Sequence, residues 1–162
     1  MKNRDAYVQL CDCWQEINEI KKIIERNPTS FESNLITRYA LIKVCGTIER
    51  VYKNIISDYA CISACDRTKN YIDREIRNTS KNPQIDNMYA LLERFDSQWN
   101  KNFKKAINRD QNKDRILYSI KSLNALRNDF AHGKNIQASF NDVLSYYRDS
   151  CKIIYFFDKV VS

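Results

Sequence analysis

A chain of 162 residues with 43% hydrophobic and 29% charged residues is long enough to bury about 70% of the surface its unfolded form exposes, and it needs no disulfide or metal staple to fold. Only two glycines and two prolines exclude collagen-like and low-complexity classes and predict long uninterrupted helices. Lysine and arginine number 27 against 20 acidic residues, a formal charge of +7, which favours polyanionic partners without specifying one.

In chain order, Tyr7, Leu10, Trp14, Ile17, Ile20 and Ile24 recur at helical spacing and predict a first helix with one buried stripe, ended by Asn27-Pro28. Thr29 and Glu32 read as a capping box. They open a long helix carrying Phe31, Leu35, Tyr39, Ile42, Ile48, Tyr52, Ile55 and Tyr59. Its middle, Ala40 to Ile56, is apolar on more than one side apart from Lys43, Glu49, Arg50 and Lys53, the pattern of a central bundle helix. Glu49 is thereby a candidate buried carboxylate.

Asp66 to Arg77 is a more charged helix, and Asn78-Thr79-Ser80-Lys81-Asn82-Pro83 is the clearest loop. Short helices follow over Ile85 to Phe95 and Trp99 to Ile107. A long one spans Asp110 to Phe130 and stops near His132-Gly133. The last, capped by Ser139 and Asp142, runs to Val161. The expected fold is all-α: one domain over residues 1–162, an up-and-down-like bundle of five to seven helices. No repeat, alternating strand pattern or membrane-length apolar run is present.

The six cysteines are Cys11, Cys13, Cys45, Cys61, Cys65 and Cys151. No apolar run follows the basic start to act as a secretory signal, so the expected location is cytoplasmic and reducing. On one helix Cys61 and Cys65 would share a face and could meet Cys11 and Cys13 as a zinc site. Their spacing matches no common zinc module, and small buried apolar residues are the alternative. No glycine-rich phosphate loop and no histidine–carboxylate cluster occurs, so neither a metal nor another cofactor is expected.

The residues with chemical content lie late in the chain. On a helix, Ile116, Ile120, Leu123, Arg127 and Phe130 share a narrow arc, so Arg127 interrupts an apolar stripe. Its guanidinium needs a carboxylate such as Glu49, a cleft, or an interface. His132, the single histidine, would point about 140° away from Arg127 on an unbroken helix. The two converge if the helix stops first or if a second copy faces the segment. A plain helix-end role for His132 stays open beside the catalytic one.

Arg127 and His132, with Asn128 directly after the arginine, resemble the R-x4-6-H signature of the HEPN superfamily, the higher eukaryote and prokaryote nucleotide-binding domains. The Glu49 helix and Phe95, Trp99 and Phe103 further resemble the RiboL-PSP subgroup. The resemblance implies an RNA endonuclease acting as a homodimer, with both motifs at the interface. It implies the RNA 2′-hydroxyl as nucleophile and 2′,3′-cyclic phosphate and 5′-hydroxyl ends, without a metal. Histidine suits proton transfer and arginine suits developing phosphate charge. Asn128 would orient the phosphate or the histidine, Asp129 would hold Arg127 or tune His132, and Glu49 would act behind them.

The resemblance extends to a toxin or phage-defence effector with an antitoxin or regulatory partner. The tyrosine two residues after the histidine in many such toxins is Lys134 here. The alternative is a catalytically silent HEPN-like dimerisation module binding RNA, a nucleotide or a protein. For RNA, Lys101, Lys104, Lys105, Arg109, Lys113, Arg115 and Lys121 form a basic series leading toward the motif, with Lys134 beyond it. Trp99 and Phe103 read as core rather than base-stacking platforms.

Overall fold

The computed structural model describes residues 1–161. Its helices are α1 (Arg4–Arg26), α2 (Phe31–Cys61), α3 (Asp66–Ile72), α4 (Ile85–Phe95), α5 (Ser97–Asn108), α6 (Lys113–Ala131) and α7 (Phe140–Val160), with a π-helical turn over Asp73–Arg77 continuing α3. Among the described residues there is no strand, and no helix is long and apolar enough to cross a membrane.

The all-round apolar middle of α2 places it at the centre, packed against α1, α6 and α7. Its Ala40, Leu41, Val44, Ile48, Val51, Tyr52 and Ile56 are almost entirely buried. Tyr52, Phe103 of α5 and Phe157 of α7 meet edge to face, with ring centroids 5.9 and 5.5 Å apart on either side of Phe157. Each such buried ring contributes roughly 1.5–3 kcal/mol relative to an exposed one. Phe103 is therefore core, as its spacing predicts, and Trp99 packs edge-on against Tyr59 at the end of α2.

Several helix details differ from the periodicity reading. The buried stripe of α1 is Ala6, Leu10, Cys13, Ile17, Ile20 and Ile24, and Tyr7 is 55% exposed. Small residues at positions 6 and 13 bring α1 close to its neighbours and shift the stripe by one residue. The cap of α2 is Ser30, whose Oγ accepts from the Ser33 N–H, rather than Thr29. Phe31, Leu35, Tyr39, Ile42 and Tyr59 stand exposed on α2. The pattern on this helix has two apolar stripes, and the core takes the one through Ala40, Leu41, Val44 and Ile48. Cys65 caps α3 while Cys61 ends α2, so the pair does not share a helix. Among the described residues no group of His, Cys, Asp or Glu is arranged to hold a metal.

Helices α6 and α7 form an antiparallel hairpin. Asp149, 6% exposed, takes a hydrogen bond from Ser119 and an ion pair from Arg115, and Lys152 pairs with Asp110. The loop joining the two helices follows His132, so the motif lies at the end of the hairpin remote from these clamps.

Candidate active site at the end of the sixth helix

Leu123 is the last fully buried member of the α6 stripe, and beyond it the helix emerges from the core. Arg127 is half-buried, and its Nη1 donates to Asn128 Oδ1 at 3.2 Å. Among the described residues no carboxylate lies within ion-pair distance of it. Glu49, the partner an inward-facing arginine would be expected to find, is engaged elsewhere: its Oε1 accepts from Lys53 at 3.0 Å and from the Lys81 backbone N–H at 2.7 Å. A structural Arg127–Glu49 pair is therefore not formed. The guanidinium is a cation with its charge unspent.

Helix α6 ends in a Schellman arrangement: the Gly133 N–H donates to Phe130 O and the Lys134 N–H to Asp129 O, with Gly133 at φ 74°. Glycine is the residue type that takes this left-handed position without steric cost. His132 is the C-cap, its backbone N–H bonded to Asn128 O and its side chain exposed. Because α6 runs on to Ala131, the helix does not stop early enough to swing His132 onto the side of Arg127.

Asp129 neither holds Arg127 nor contacts His132; it pairs with Lys134 at 2.8 Å. Asn128 is the junction residue. Its Oδ1 accepts from Arg127 and also from Asn82 Nδ2 at 3.1 Å.

That second bond belongs to a strap formed by residues 78–84. Arg77 fixes its start through Asp58, Asp73 and Asn54. Lys53, almost fully buried, donates to Thr79 O, and the buried Tyr52 hydroxyl donates to Lys81 O at 3.2 Å. Burial, reinforced by the nearby Glu49 charge, holds the Tyr52 phenol well above its ordinary range. On the α6 side, Asn124 Nδ2 donates to Pro83 O at 2.9 Å. The strap thus couples α2 to α6 directly behind the motif. Cys45 marks the same junction: its thiol bonds to Leu123 O, and burial pushes its pKa up to about 12 against the opposing field of Arg127.

The basic residues divide into two groups. Lys121 is exposed on α6 at the rim of a groove that reaches Asn128. Lys101, Lys104 and Lys105 are exposed on α5, with Lys104 over the Tyr89 ring at 5.0 Å. Arg109 precedes the first turn of α6, about 27 Å along the helix axis from Arg127. These four surround the far end of the bundle, so the basic series does not run continuously to the motif. Nearer to it, Arg50 is exposed on α2 in an open polar cleft of about 570 Å³ that also contains Gly46, Glu49, Lys53 and Arg77.

Lys53, Lys81, Asn82 and Asn124 were not marked as site residues by sequence pattern. Lys53 and Asn124 are polar residues at core-facing positions, which is a readable signal. The two strap residues carry none, because their contacts depend on the tertiary path of the loop.

No curated protein and no solved structure matches the chain. The RiboL-PSP-HEPN family model matches residues 10–162, a span that includes all seven helices except the start of α1. The chain belongs to the RiboL-PSP-HEPN family.

Proposed function

We propose that this protein is a metal-independent RNA endonuclease in which Arg127 and His132 of two copies form one composite site. The observation that carries the reading is the half-buried Arg127, oriented by Asn128, with no carboxylate to neutralise it, one turn before an exposed histidine. A phosphodiester supplies the missing anion, and the guanidinium fork is shaped to bind two of its oxygens.

In the reaction, the 2′-hydroxyl oxygen attacks the adjacent phosphorus while the bond from phosphorus to the 5′-oxygen breaks. One His132 takes the 2′-hydroxyl proton and the His132 of the second copy gives a proton to the departing 5′-oxygen. The products are a 2′,3′-cyclic phosphate and a 5′-hydroxyl. Arg127 and Asn128 hold the phosphoryl oxygens as charge builds on them. A second copy is required by geometry, since the continuous helix directs Arg127 and His132 of one chain to different sides. The exposed Phe31, Leu35 and Ile42 of α2 lie within about 60° of one another and of Gly46 around the helix, and supply an apolar seam for it.

Lys121 and Lys134 would contact flanking phosphates, and Lys101, Lys104, Lys105 and Arg109 a more distant stretch of RNA. A role as a toxin or phage-defence effector, restrained by a partner protein in the cytoplasm, fits such a nuclease. The test is cleavage of a mixed RNA pool in EDTA by wild type and His132→Ala, with the product ends analysed. Cleavage by wild type alone, leaving cyclic phosphates, is the expected result. Failure of a folded, dimeric wild type to cleave any RNA would transfer the assignment to a silent RNA- or protein-binding module.

A further inference from the structure

Between the first turn of α4 and the outer side of α6 lies a groove of about 520 Å³, bounded by Ile85, Asp86, Leu117, Lys121, Asn124 and Asn128. Its volume is in the range of small-ligand sites. Asn124 is 2% exposed, and the orientation of its amide is dictated by two carbonyls, since Nδ2 donates to Ile120 O at 2.7 Å and Pro83 O at 2.9 Å. The remaining oxygen, Oδ1, is buried without any hydrogen-bond donor. Leaving such an acceptor unsatisfied is unfavourable, so a residue that lines a groove with a spare oxygen marks a place where a ligand's N–H completes the structure.

The groove is continuous with the motif. Asn124 and Asn128 are one helical turn apart on the same face of α6, and Asn128 holds Arg127. A nucleotide with its phosphate on Arg127 therefore has its base within reach of Asn124. Leu117 and Ile85 offer apolar surface to the ring, Lys121 stands at the rim for the neighbouring phosphate, and Asp86 adds a second acceptor. An acceptor-lined pocket selects donors. Adenine, cytosine and guanine carry exocyclic amino groups, whereas uracil presents O4 where cytosine has its amine, and that oxygen would face Oδ1 with like polarity.

We propose that this groove seats an unpaired RNA base bearing an exocyclic amino group, with Asn124 as the specificity-determining residue. The inference rests on the ribonuclease reading and deepens it. The experiment is calorimetric titration of the full chain with cytidine 3′-monophosphate and uridine 3′-monophosphate, alongside mapping of cleavage positions in RNA. Cytidine 3′-monophosphate is expected to bind at least tenfold more tightly. The preference should persist in His132→Ala and vanish in Ala125→Tyr. The exposed Ala125 lines the same groove, and a ring there fills it while leaving the Asn124 bonds in place.

Equal affinities, no binding of either nucleotide, or an unchanged preference in Ala125→Tyr overturns the proposal. Cleavage with no base preference would sink the groove and leave the nuclease standing. Nucleotide preference without cleavage would support the groove and sink the nuclease.

Discussion

Glu49→Ala tests whether the carboxylate holds the strap rather than performing chemistry. The substitution removes two interactions at once: the 3.0 Å contact with Lys53 and the 2.7 Å bond from the Lys81 N–H. The Lys53 side chain is only 7% exposed and would keep a single partner, the Thr79 carbonyl. Removing one side of a buried pair costs about 3–5 kcal/mol, chiefly because the surviving charge is stranded. The Glu49 side chain is 15% exposed, so water can enter the vacated space and the expected loss is at the lower end, about 3 kcal/mol. Urea unfolding at neutral pH measures it as a fall in midpoint at unchanged slope. Adding Lys53→Met removes the stranded ammonium and should restore most of the stability. A loss below about 1 kcal/mol for Glu49→Ala, or a double variant no more stable than the single one, would refute the argument.

Arg127→Ala is expected to change stability by less than about 1 kcal/mol, since the side chain makes one hydrogen bond and no ion pair. Its cleavage rate should fall at least about 10²-fold, and Arg127→Lys should recover only part of it because the planar fork is gone. Ile42→Glu, on the exposed stripe of α2, should yield a folded monomer in light scattering and no cleavage; a dimeric, active variant would move the interface elsewhere. Cys65 should be the first thiol labelled by a disulfide reagent at neutral pH, because it is exposed and its hydrogen bond with Thr68 lowers its pKa. Cys45, pushed up to about 12 by burial, should label only on unfolding. Equal labelling rates for the two would contradict the burial assigned to Cys45.

Helix order, the central place of α2 and the motif's position at a helix end were legible because each depends on local spacing and breakers. Gly133 and the Ser139–Asp142 box act within a few residues of themselves, and the structure places both where pattern puts them. The faces of the helices were less legible. On α2, Phe31, Leu35, Tyr39 and Ile42 carry the periodicity of a buried stripe yet are exposed, and periodicity alone does not choose between two apolar sides. The partner of Glu49 was illegible for a different reason. Lys81 is 32 positions away in sequence, and its backbone N–H carries no side-chain signature. The same applies to Asn82, whose bond to Asn128 is the one that joins the strap to the motif.

Charge determines how two copies of the proposed site can meet. Each brings Arg127 without a counterion, and Arg50 adds a further exposed cation on the adjoining stretch of α2. Two unit charges about 4 Å apart at an effective dielectric of about 20 repel by roughly 4 kcal/mol. Burying Phe31, Leu35 and Ile42 contributes roughly 1.5–3 kcal/mol for each side chain fully covered, before the entropy of association is subtracted. The seam and the repulsion are therefore of similar size, and a phosphodiester between the two arginines changes the balance by converting repulsion into two attractions. The free dimer should accordingly be weak and tighten with added salt, which screens the cations. With a non-cleavable 2′-deoxy oligonucleotide bound, the dimer should instead be tighter at low salt. An association constant that ignores both salt and oligonucleotide would mean that the arginines do not face each other, and that the Arg127 charge is spent within a single chain.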